Sequence, residues 1–371
     1  MKRSTIQRGG VSVAALSLVL GLAACGSDNA KGADSGTGTE SSGEALTGTL
    51  TASGASSQES AMTSWIAGYA DKQPEVTVNY DAIGSGGGRE NLISGAIDFA
   101  GSDAALDEEE RAAVTKSCGP DGAMNIPVYI SPVAVPYNVE GVDTLQLKPD
   151  TLAKIFDQKI KTWDDAAIKA DNPDVELPST KITVVNRSDE SGTTENFMEY
   201  LAEAAPKSWS YEADKAWPVK GGEAAAQTTG VIDVVKSTDG AITYADASAV
   251  GELKSAHIGV GDDYTEFSPE AAAKVVDASS PEDTGVEGDL ALKLARDTKE
   301  SGAYPIVLVS YHIVCKSYKD EAKANLVRDF VKYVVSAEGQ ETAAEAAGSA
   351  PISDNLRKKA EESLDSITVA K

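Results

Sequence analysis

Short runs of β-branched residues alternate along this chain with segments whose apolar residues recur at helical spacing. This alternation restricts the possible folds more than any other feature of the sequence. The strand-like runs lie at 76–80, 125–130, 182–186, 241–244 and 305–311. Apolar residues spaced i, i+3, i+4 and i+7 indicate helices at 62–69, 196–204 and 326–335. Strands that alternate with helices are typical of an α/β fold, so we predict an α/β chain with largely parallel sheets.

The N-terminus has the order of an export signal. A basic start is followed by an apolar segment at 11–22 and by the letters LAAC, which end at Cys25. Small residues directly before a cysteine resemble a lipoprotein box, so we predict a signal peptide over 1–24 and a lipid on Cys25. The segment 25–45 is rich in Gly, Ser and Thr and predicts a flexible tether. We therefore expect attachment to the extracytoplasmic face of the cell membrane; a plain secretory signal with an incidental cysteine is the alternative.

Two further cysteines, Cys118 and Cys315, remain after Cys25. An even number of cysteines in an oxidising compartment predicts one disulfide bond between them. Two buried free thiols are the alternative.

Charge and histidine content exclude several classes of function. The chain has 58 acidic and 33 basic residues and a formal net charge of −25, so its surface repels nucleic acid and we expect no nucleic-acid partner. It has only two histidines, His257 and His312, and neither is at metal-ligand spacing. We therefore expect no metal, no other cofactor and no histidine-based catalytic relay.

Clusters of Ser, Gly and Thr occur three times between a predicted strand and a predicted helix. They lie at 51–57, 84–88 and 191–194. Ser and Thr are ordinary helix caps, but helix N-termini also present unpaired N–H groups that bind anions. An acidic protein can bind a small anion only through such local donors, so three clusters in one chain favour an anion site.

Arg187 adds a positive charge to the third cluster. It ends a predicted strand four residues before Ser191, and its guanidinium suits a tetrahedral oxyanion. Asp189 is placed to orient it through a salt bridge. The alternative is a surface ion pair, worth at most about 1 kcal/mol.

Taken in order, these segments resemble the phosphate-binding proteins of the ABC-type phosphate uptake system. The motifs that carry the resemblance are 84–88 (GSGGG), 98–103 (DFAGSD) and 187–194 (RSDESGTT), with support from 152–163 and 240–244. The resemblance extends from about residue 46 to the C-terminus. It implies a monomer with the hinged, two-lobed periplasmic-binding-protein fold of type II, each lobe a central sheet flanked by helices. In that fold, lobe I would comprise 46–130 plus 304–371 and lobe II 131–303, which places both Cys118 and Cys315 in lobe I.

The resemblance also implies a set of ligands for inorganic phosphate. The matching positions are Ser56, Ser57, Ser85, Asp103, Arg187, Ser191, Gly192 and Thr193, with Asp189 as the salt-bridge partner of the arginine. The chain departs from the family pattern at two places. It has Ser57-Gln58 where many relatives have Phe-Pro, and Glu190 where a small residue is common.

The presence of Asp103 among these positions suggests how the site would select its ligand. A carboxylate in an anion site repels a fully ionised ligand, but phosphate at neutral pH keeps an O–H that can donate to it. Sulfate has no such proton, and sites built around a ligand donor can reject analogues that lack it by about 10⁴–10⁵-fold. A helix cap is the alternative role for Asp103.

We therefore expect a lipid-anchored phosphate receptor that is not an enzyme and delivers its ligand to the permease subunits of an ABC importer. A receptor of the same fold for sulfate, molybdate or tungstate is the alternative. Less favoured are a phosphate-ester hydrolase, for which the chain lacks the G-x-S-x-G and P-loop motifs, and a surface adhesin or antigen that has lost transport.

Overall fold

The structure is a computed structural model that describes residues 46–370. The predicted signal peptide, the tether and the lipidated Cys25 lie outside the described residues, so those predictions stay untested. Of the helices in residues 46–370, none is both long and apolar enough to cross a membrane.

The helices begin where the sequence supplies capping groups. Asp107 caps the third helix by accepting a hydrogen bond from the Glu110 N–H at 2.8 Å, while the Glu110 side chain accepts from the Asp107 N–H. Ser268 caps a helix whose first residue is Pro269, a position where the missing N–H of proline has no effect. The helices are α1 Glu59–Lys72, α2 Ser85–Ser94, α3 Glu108–Cys118, α4 Pro149–Phe156, α5 Ala166–Asp171, α6 Gly192–Ala204, α7 Gln227–Ser237, α8 Pro269–Asp277, α9 Glu321–Val335, α10 Ala337–Ala347 and α11 Asp354–Asp365.

The strands are mostly short, and two long ones, β4 and β16, are buried along their whole length. In chain order they are β1 Gly48–Gly54, β2 Val76–Asp81, β3 Phe99–Ser102, β4 Ala123–Ala134, β5 Pro136–Asn138, β6 Gln146–Leu147, β7 Thr183–Arg187, β8 Glu223–Ala225, β9 Ala241–Ile242, β10 Ala245–Asp246, β11 Lys254–Ser255, β12 His257–Val260, β13 Asp263–Thr265, β14 Ser280–Pro281, β15 Leu292–Lys293, β16 Val307–Cys315, β17 Ser317–Tyr318 and β18 Thr368–Val369.

Two mixed sheets organise the chain. The larger has the order β10-β4-β16-β3-β1-β2 and takes most of its strands from the two ends of the described chain. The smaller has the order β11-β5-β9-β7-β8 and takes its strands from the middle. The chain passes from the larger sheet to the smaller between β4 and β5, adds β10 to the larger sheet between β9 and β11, and returns to the larger sheet with β16. The proposed lobe boundaries at 130–131 and 303–304 stay a prediction.

The α/β fold class is confirmed, but the expectation of largely parallel sheets is wrong. β1 pairs with β2 and β3 in parallel, and β7 pairs with β8 and β9 in parallel, whereas β4, β16 and β10 pair antiparallel, as do β11, β5 and β9. Parallel pairing needs a crossover such as a helix between the strands. β4 and β16 are brought together by long-range packing, which periodicity along the sequence does not reveal.

The predicted elements are located correctly to within a few residues in most cases. The strand predicted at 76–80 is β2, and the one predicted at 125–130 lies inside β4. The run at 182–186 is β7 shifted by one residue, and the run at 305–311 begins two residues late, as β16. The run at 241–244 is a strand only over Ala241–Ile242, because the chain then leaves the smaller sheet for β10.

A β-bulge interrupts the pairing of β4 with β16. Ser310 pairs with Tyr129 and Tyr311 pairs with Pro127, so Val128 is an extra residue in β4. Its carbonyl accepts a hydrogen bond from Gln340 Nε2 at 2.6 Å, which satisfies the group that the ladder leaves unpaired. Bulges re-aim side chains, and this one lies beside the site described below.

The disulfide bond between Cys118 and Cys315 is confirmed. It joins the end of α3 to the end of β16, so it links two segments that are 197 positions apart in sequence, and both residues are buried. A cross-link that closes so long a loop restricts the unfolded chain strongly.

We expect the Cys118→Ala/Cys315→Ala double variant to lose about 2–5 kcal/mol of the free energy of unfolding, because its unfolded chain regains the freedom that the bond removes. Urea unfolding of the two proteins, each with and without a thiol reductant, measures this. Reductant should destabilise only the wild type; equal effects on both proteins would contradict a stabilising role for the bond.

Candidate functional site

The residues predicted for the anion site lie where strand ends meet helix N-termini, between the two sheets. Ser56 and Ser57 form the first turn after β1, Ser85 begins α2 and Asp103 follows β3. Arg187 is the last residue of β7, and Ser191 caps α6, which begins with Gly192 and Thr193. All eight residues are buried.

Asp103 is the point at which these residues converge. Ser57 Oγ is 2.7 Å from both carboxylate oxygens and donates to them. Thr193 Oγ1 donates to Oδ2 at 3.0 Å, and Ser310 Oγ donates to Oδ1 at 2.8 Å. Ser57 directly follows β1 and Ser310 lies on β16, both strands of the larger sheet, whereas Thr193 lies in the first turn of α6 beside the smaller sheet. Hydrogen bonds to Asp103 therefore link the parts of the protein around the two sheets.

The pKa of Asp103 reflects two opposed effects. Burial favours the neutral acid and raises the pKa above its ordinary value. Hydrogen bonds from Ser57, Ser310 and Thr193 oppose that rise, and so does the charge of Arg187. The carboxyl therefore takes up a proton at a higher pH than an exposed aspartate does.

Arg187 is held in place by Asp189. Its Nε donates to Asp189 Oδ1 at 2.7 Å and its Nη2 donates to Oδ2, so the pair is bidentate. The Gln227 N–H also donates to Asp189 Oδ1, at 2.9 Å. Burial alone would raise the pKa of Asp189, but the Arg187 contacts outweigh it and lower the pKa overall. The Arg187 side chain is only 2% exposed, so this is a buried pair rather than the surface pair considered as the alternative.

The first turn after β1 meets the start of α7 across the site. Ser56 Oγ lies 2.9 Å from Thr228 Oγ1, and the Thr228 N–H donates to the same Ser56 oxygen at 3.2 Å. Gln227, the residue before, has a φ of 64°, in the left-handed region that is strained for a side chain of this kind. The turn into α7 therefore has an unusual backbone that places Thr228 against Ser56.

The N-termini of α2 and α6 touch each other beside Asp103. The Gly86 N–H donates to the Glu190 carbonyl at 3.2 Å, and Ser85 Oγ accepts from the Asp103 N–H at 3.2 Å. A Cβ on Gly192 would lie 2.7 Å from Ser85 Oγ and 2.9 Å from Asp103 Cβ, closer than real contacts allow. Only glycine permits this approach.

Ion pairs connect the two sides of the site at its edge. Arg89 on α2 pairs with Glu110 at 3.0 Å and with Glu195 on α6 at 3.2 Å. Lys215 pairs with Glu110 at 3.2 Å and with Glu190 at 3.1 Å. This explains the unusual Glu190: its charge is directed towards Lys215. Burial raises the pKa of Glu195 to about 7, although Arg89 acts against that rise.

Both histidines lie in other surroundings. His312 is completely buried between Trp65, Phe99 and Phe330, and burial lowers its pKa to about 3, so it is neutral. His257 lies on β12, with its Nε2 4.0 Å from Glu266 Oε2. Within residues 46–370, no group of three or more His, Cys, Asp or Glu side chains is arranged to hold a metal ion.

Sequence reasoning missed three polar residues of this site. Thr228 follows a strand and opens a helix, which is the same pattern as the three clusters, so its position could have been found. Ser310 is a hydroxyl residue within the apolar run of β16, an isolated signal that is easily overlooked. Tyr244 belongs to the stretch 240–244 that supports the family resemblance, but nothing in the sequence assigns it to the site. Its hydroxyl lies 2.7 Å from Thr194 Oγ1.

The arrangement suits a small oxyanion. It offers several hydroxyl donors, two helix N-termini and one oriented guanidinium, all of which stabilise negative charge. It also holds the buried carboxylate of Asp103, which stabilises a ligand only if that ligand brings a proton. The site can therefore distinguish oxyanions by their protonation.

Comparisons with known proteins agree with this geometry. A family model described as a PBP superfamily domain matches residues 39–338. Phosphate-binding protein PstS 3 of Mycobacterium leprae is 38% identical over 350 residues, which cover 91% of this chain and 93% of the relative. Phosphate-binding protein PstS 3 of Mycobacterium tuberculosis strain H37Rv is 36% identical over 377 residues, with coverages of 98% and 99%.

The fold also matches a solved structure, that of the phosphate-binding protein from Stenotrophomonas maltophilia. The two share a TM-score of 0.67 and 20% identity, and the match covers 85% of this chain and 93% of the other. At that identity the likeness bears on the fold alone, which is the periplasmic-binding-protein fold. The chain belongs to the PstS family of phosphate-binding proteins, within the PBP superfamily.

Proposed function

We propose that this protein binds inorganic phosphate at the site around Asp103 and delivers it to the permease subunits of an ABC phosphate importer. Ser56, Ser57, Ser85, Arg187, Ser191, Gly192 and Thr193 would donate to the phosphate oxygens, Asp103 would accept its proton, and Asp189 would orient the arginine. In this role the protein binds and releases its ligand unchanged, so it is not an enzyme. The names of the relatives support the ligand.

One observation carries the proposal: a buried carboxylate at the centre of an anion site. Asp103 is 2% exposed and is surrounded by donors. A fully ionised oxyanion such as sulfate would place a lone pair against a desolvated carboxylate, which is unfavourable. Hydrogen phosphate would donate its O–H to Asp103 while its other oxygens accept from the hydroxyls and from Arg187.

The transport role completes the proposal. The site lies between the sheet that contains β1, β3 and β16 and the sheet that contains β7, so rotation of two lobes about the segments that connect the two sheets would open and close it. We propose that the protein acts as a monomer, held on the extracytoplasmic face of the membrane by lipid on Cys25. There it would supply the permease with phosphate.

Calorimetric titration of the ligand-free protein, comprising residues 46–371, tests the proposal. Phosphate should bind with micromolar affinity or tighter, about −8 kcal/mol or better, and sulfate should give no heat. Equal binding of both anions would favour a general oxyanion receptor. Release of phosphate from a chromogenic phosphate ester would favour the hydrolase.

Replacing Arg187 should weaken phosphate binding severely, because the site loses its guanidinium and the carboxylate of Asp189 is left without its partner. We expect Arg187→Met to lower the affinity at least about 100-fold, or about 3 kcal/mol. Arg187→Lys should recover only part, since an ammonium lacks the planar fork. Arg357→Met is the control, as it removes the same charge from a pair with the exposed Asp354 on α11, outside the site; equal losses in both proteins would point to net charge alone.

Replacing Asp103 should change selectivity more than affinity. Asparagine at this position can donate to sulfate, so we expect Asp103→Asn to lower the phosphate-to-sulfate affinity ratio at least about 100-fold. Burial raises the pKa of Asp103, so in the wild type the acid form gains population as the pH falls and can itself donate. Sulfate binding should therefore strengthen at low pH in the wild type and stay nearly constant in the variant.

Asp289→Asn is the matched control for this experiment, because Asp289 accepts hydrogen bonds from Asn125 outside the site. Its selectivity and its pH profile should equal those of the wild type. Unchanged selectivity in Asp103→Asn would remove the carboxylate from the mechanism.

Adding one methyl group at Gly192 should prevent the close contact of α6 with α2. We expect Gly192→Ala to weaken phosphate binding at least about tenfold, because its Cβ would overlap Ser85 and Asp103. Gly230→Ala is the control, since a Cβ on Gly230 would meet only Ala225, at 3.4 Å. Wild-type affinity in Gly192→Ala would show that the site binds phosphate without this contact.

A further inference from the structure

Gln58 lies behind Asp103 and contacts it through Ser310. It is one of the positions at which this chain departs from the Phe-Pro of many relatives. The residue is 0% exposed and follows Ser57 directly. Its amide Nε2 donates to Ser310 Oγ at 2.7 Å and to the Tyr311 carbonyl at 3.1 Å. Ser310 in turn donates to Asp103 Oδ1 at 2.8 Å, so a chain of two hydrogen bonds connects Gln58 to Asp103.

Chemistry fixes the orientation of this amide. The Tyr311 carbonyl can only accept a hydrogen bond, so the atom beside it must be the NH₂ group of Gln58 and not its oxygen. One N–H therefore points to Tyr311 and the other to Ser310. Proline at position 58 could supply neither.

The direction of each following bond is then determined. Ser310 Oγ accepts a hydrogen bond from Gln58, so it directs its own single proton to Asp103 Oδ1. Ser310 therefore holds Oδ1 as an acceptor. Thr193 and Ser57 donate to Oδ2 in this structure, but both belong to the predicted phosphate ligands, so on binding their hydroxyls would turn to the phosphate oxygens and leave Oδ2 to the proton of the ligand.

These contacts lie at the bulge in the pairing of β4 with β16. Ser310 and Tyr311 lie on either side of the register shift, next to the extra residue Val128. Gln58 therefore spans two consecutive residues of β16, using the side chain of one and the carbonyl of the other.

We propose that Gln58 and Ser310 are positioning residues that set phosphate selectivity, by fixing Asp103 Oδ1 as an acceptor and reserving Oδ2 for the proton of the ligand. This inference rests on the proposed function. Without the pair, Asp103 could carry its proton on either oxygen and turn a donor towards a fully ionised anion.

Other charged and titratable groups surround Asp103 and also affect its protonation. They must therefore be the same in the wild type and in every variant that is tested. Arg187 lowers the pKa of Asp103, and Tyr80 and Tyr129 stay neutral because burial raises their pKa values. Asp246 is a buried acid on β10, and burial, with the charge of Asp103 adding to it, raises its pKa to about 7. Since these four groups are unchanged in the variants, differences between pH profiles report on Gln58 and Ser310.

The test is calorimetric titration of phosphate and of sulfate, between pH 5 and 8.5, into wild type, Ser310→Ala and Gln58→Met. We expect the phosphate-to-sulfate affinity ratio at pH 7 to fall at least about tenfold in both variants. The pH below which sulfate binds should move upwards, because the Ser310 bond that lowers the pKa of Asp103 is lost or weakened. A loss of stability alone would not move either quantity.

Tyr69→Phe is the matched control, because it removes a hydrogen bond to Asp329 from the helix that follows Gln58. It should keep the wild-type ratio and pH profile. If the apolar variants fail to fold, Gln58→Glu keeps the shape of the side chain but places an acceptor beside Ser310, and the ratio should fall in the same way.

Folded variants with the wild-type ratio and pH profile would overturn the inference and leave the proposed function intact. A wild type that binds no phosphate would overturn both. The first titration of the series therefore separates the two failures.

Discussion

The burial of one carboxylate determines how this site is organised. Asp103 cannot remain ionised inside the protein without donors, and it receives them from Ser57, Thr193 and Ser310, which come from three distant parts of the sequence. Those donors bring the turn after β1, the start of α6 and the middle of β16 to one point. In the proposed function the same carboxylate recognises the proton of the ligand, so the packing of the site and its selectivity would depend on one residue.

An acidic protein that binds an anion must overcome its own field locally. The chain carries a net charge of −25, yet the site is lined by helix N-termini, hydroxyls and Arg187. Asp189 neutralises much of the arginine charge and holds its fork in one orientation. Around the edge, Arg89 and Lys215 pair with carboxylates from both sides of the cleft. The local attraction for an anion therefore comes from short-range N–H and O–H donors and one oriented guanidinium, and not from an excess of positive charge.

Much of the fold follows from local patterns. The strands β2, β4, β7 and β16 and the three helical stripes could be located within a few residues, because buried strands form short β-branched runs and amphipathic helices have a period of 3.6. The mixed pairing of the sheets could not be predicted, because β4 and β16 meet through contacts between distant segments. The disulfide between Cys118 and Cys315 was predictable from the number of cysteines in a chain with a predicted export signal, although buried thiols remained possible.

The sequence by itself determined which residue types gather near strand ends, and the family resemblance marked Asp103 and Arg187 among them. Only the tertiary structure decided which of these residues touch. A hydrogen bond requires that donor and acceptor be placed to within a few tenths of an ångström, and here they come from segments far apart in the chain. It joined Thr228 to Ser56, and it connected Gln58 to Asp103 through Ser310 at a bulge that no local pattern announces. The sequence therefore determines which donors and acceptors are available, whereas packing determines which of them form hydrogen bonds and which group donates in each bond.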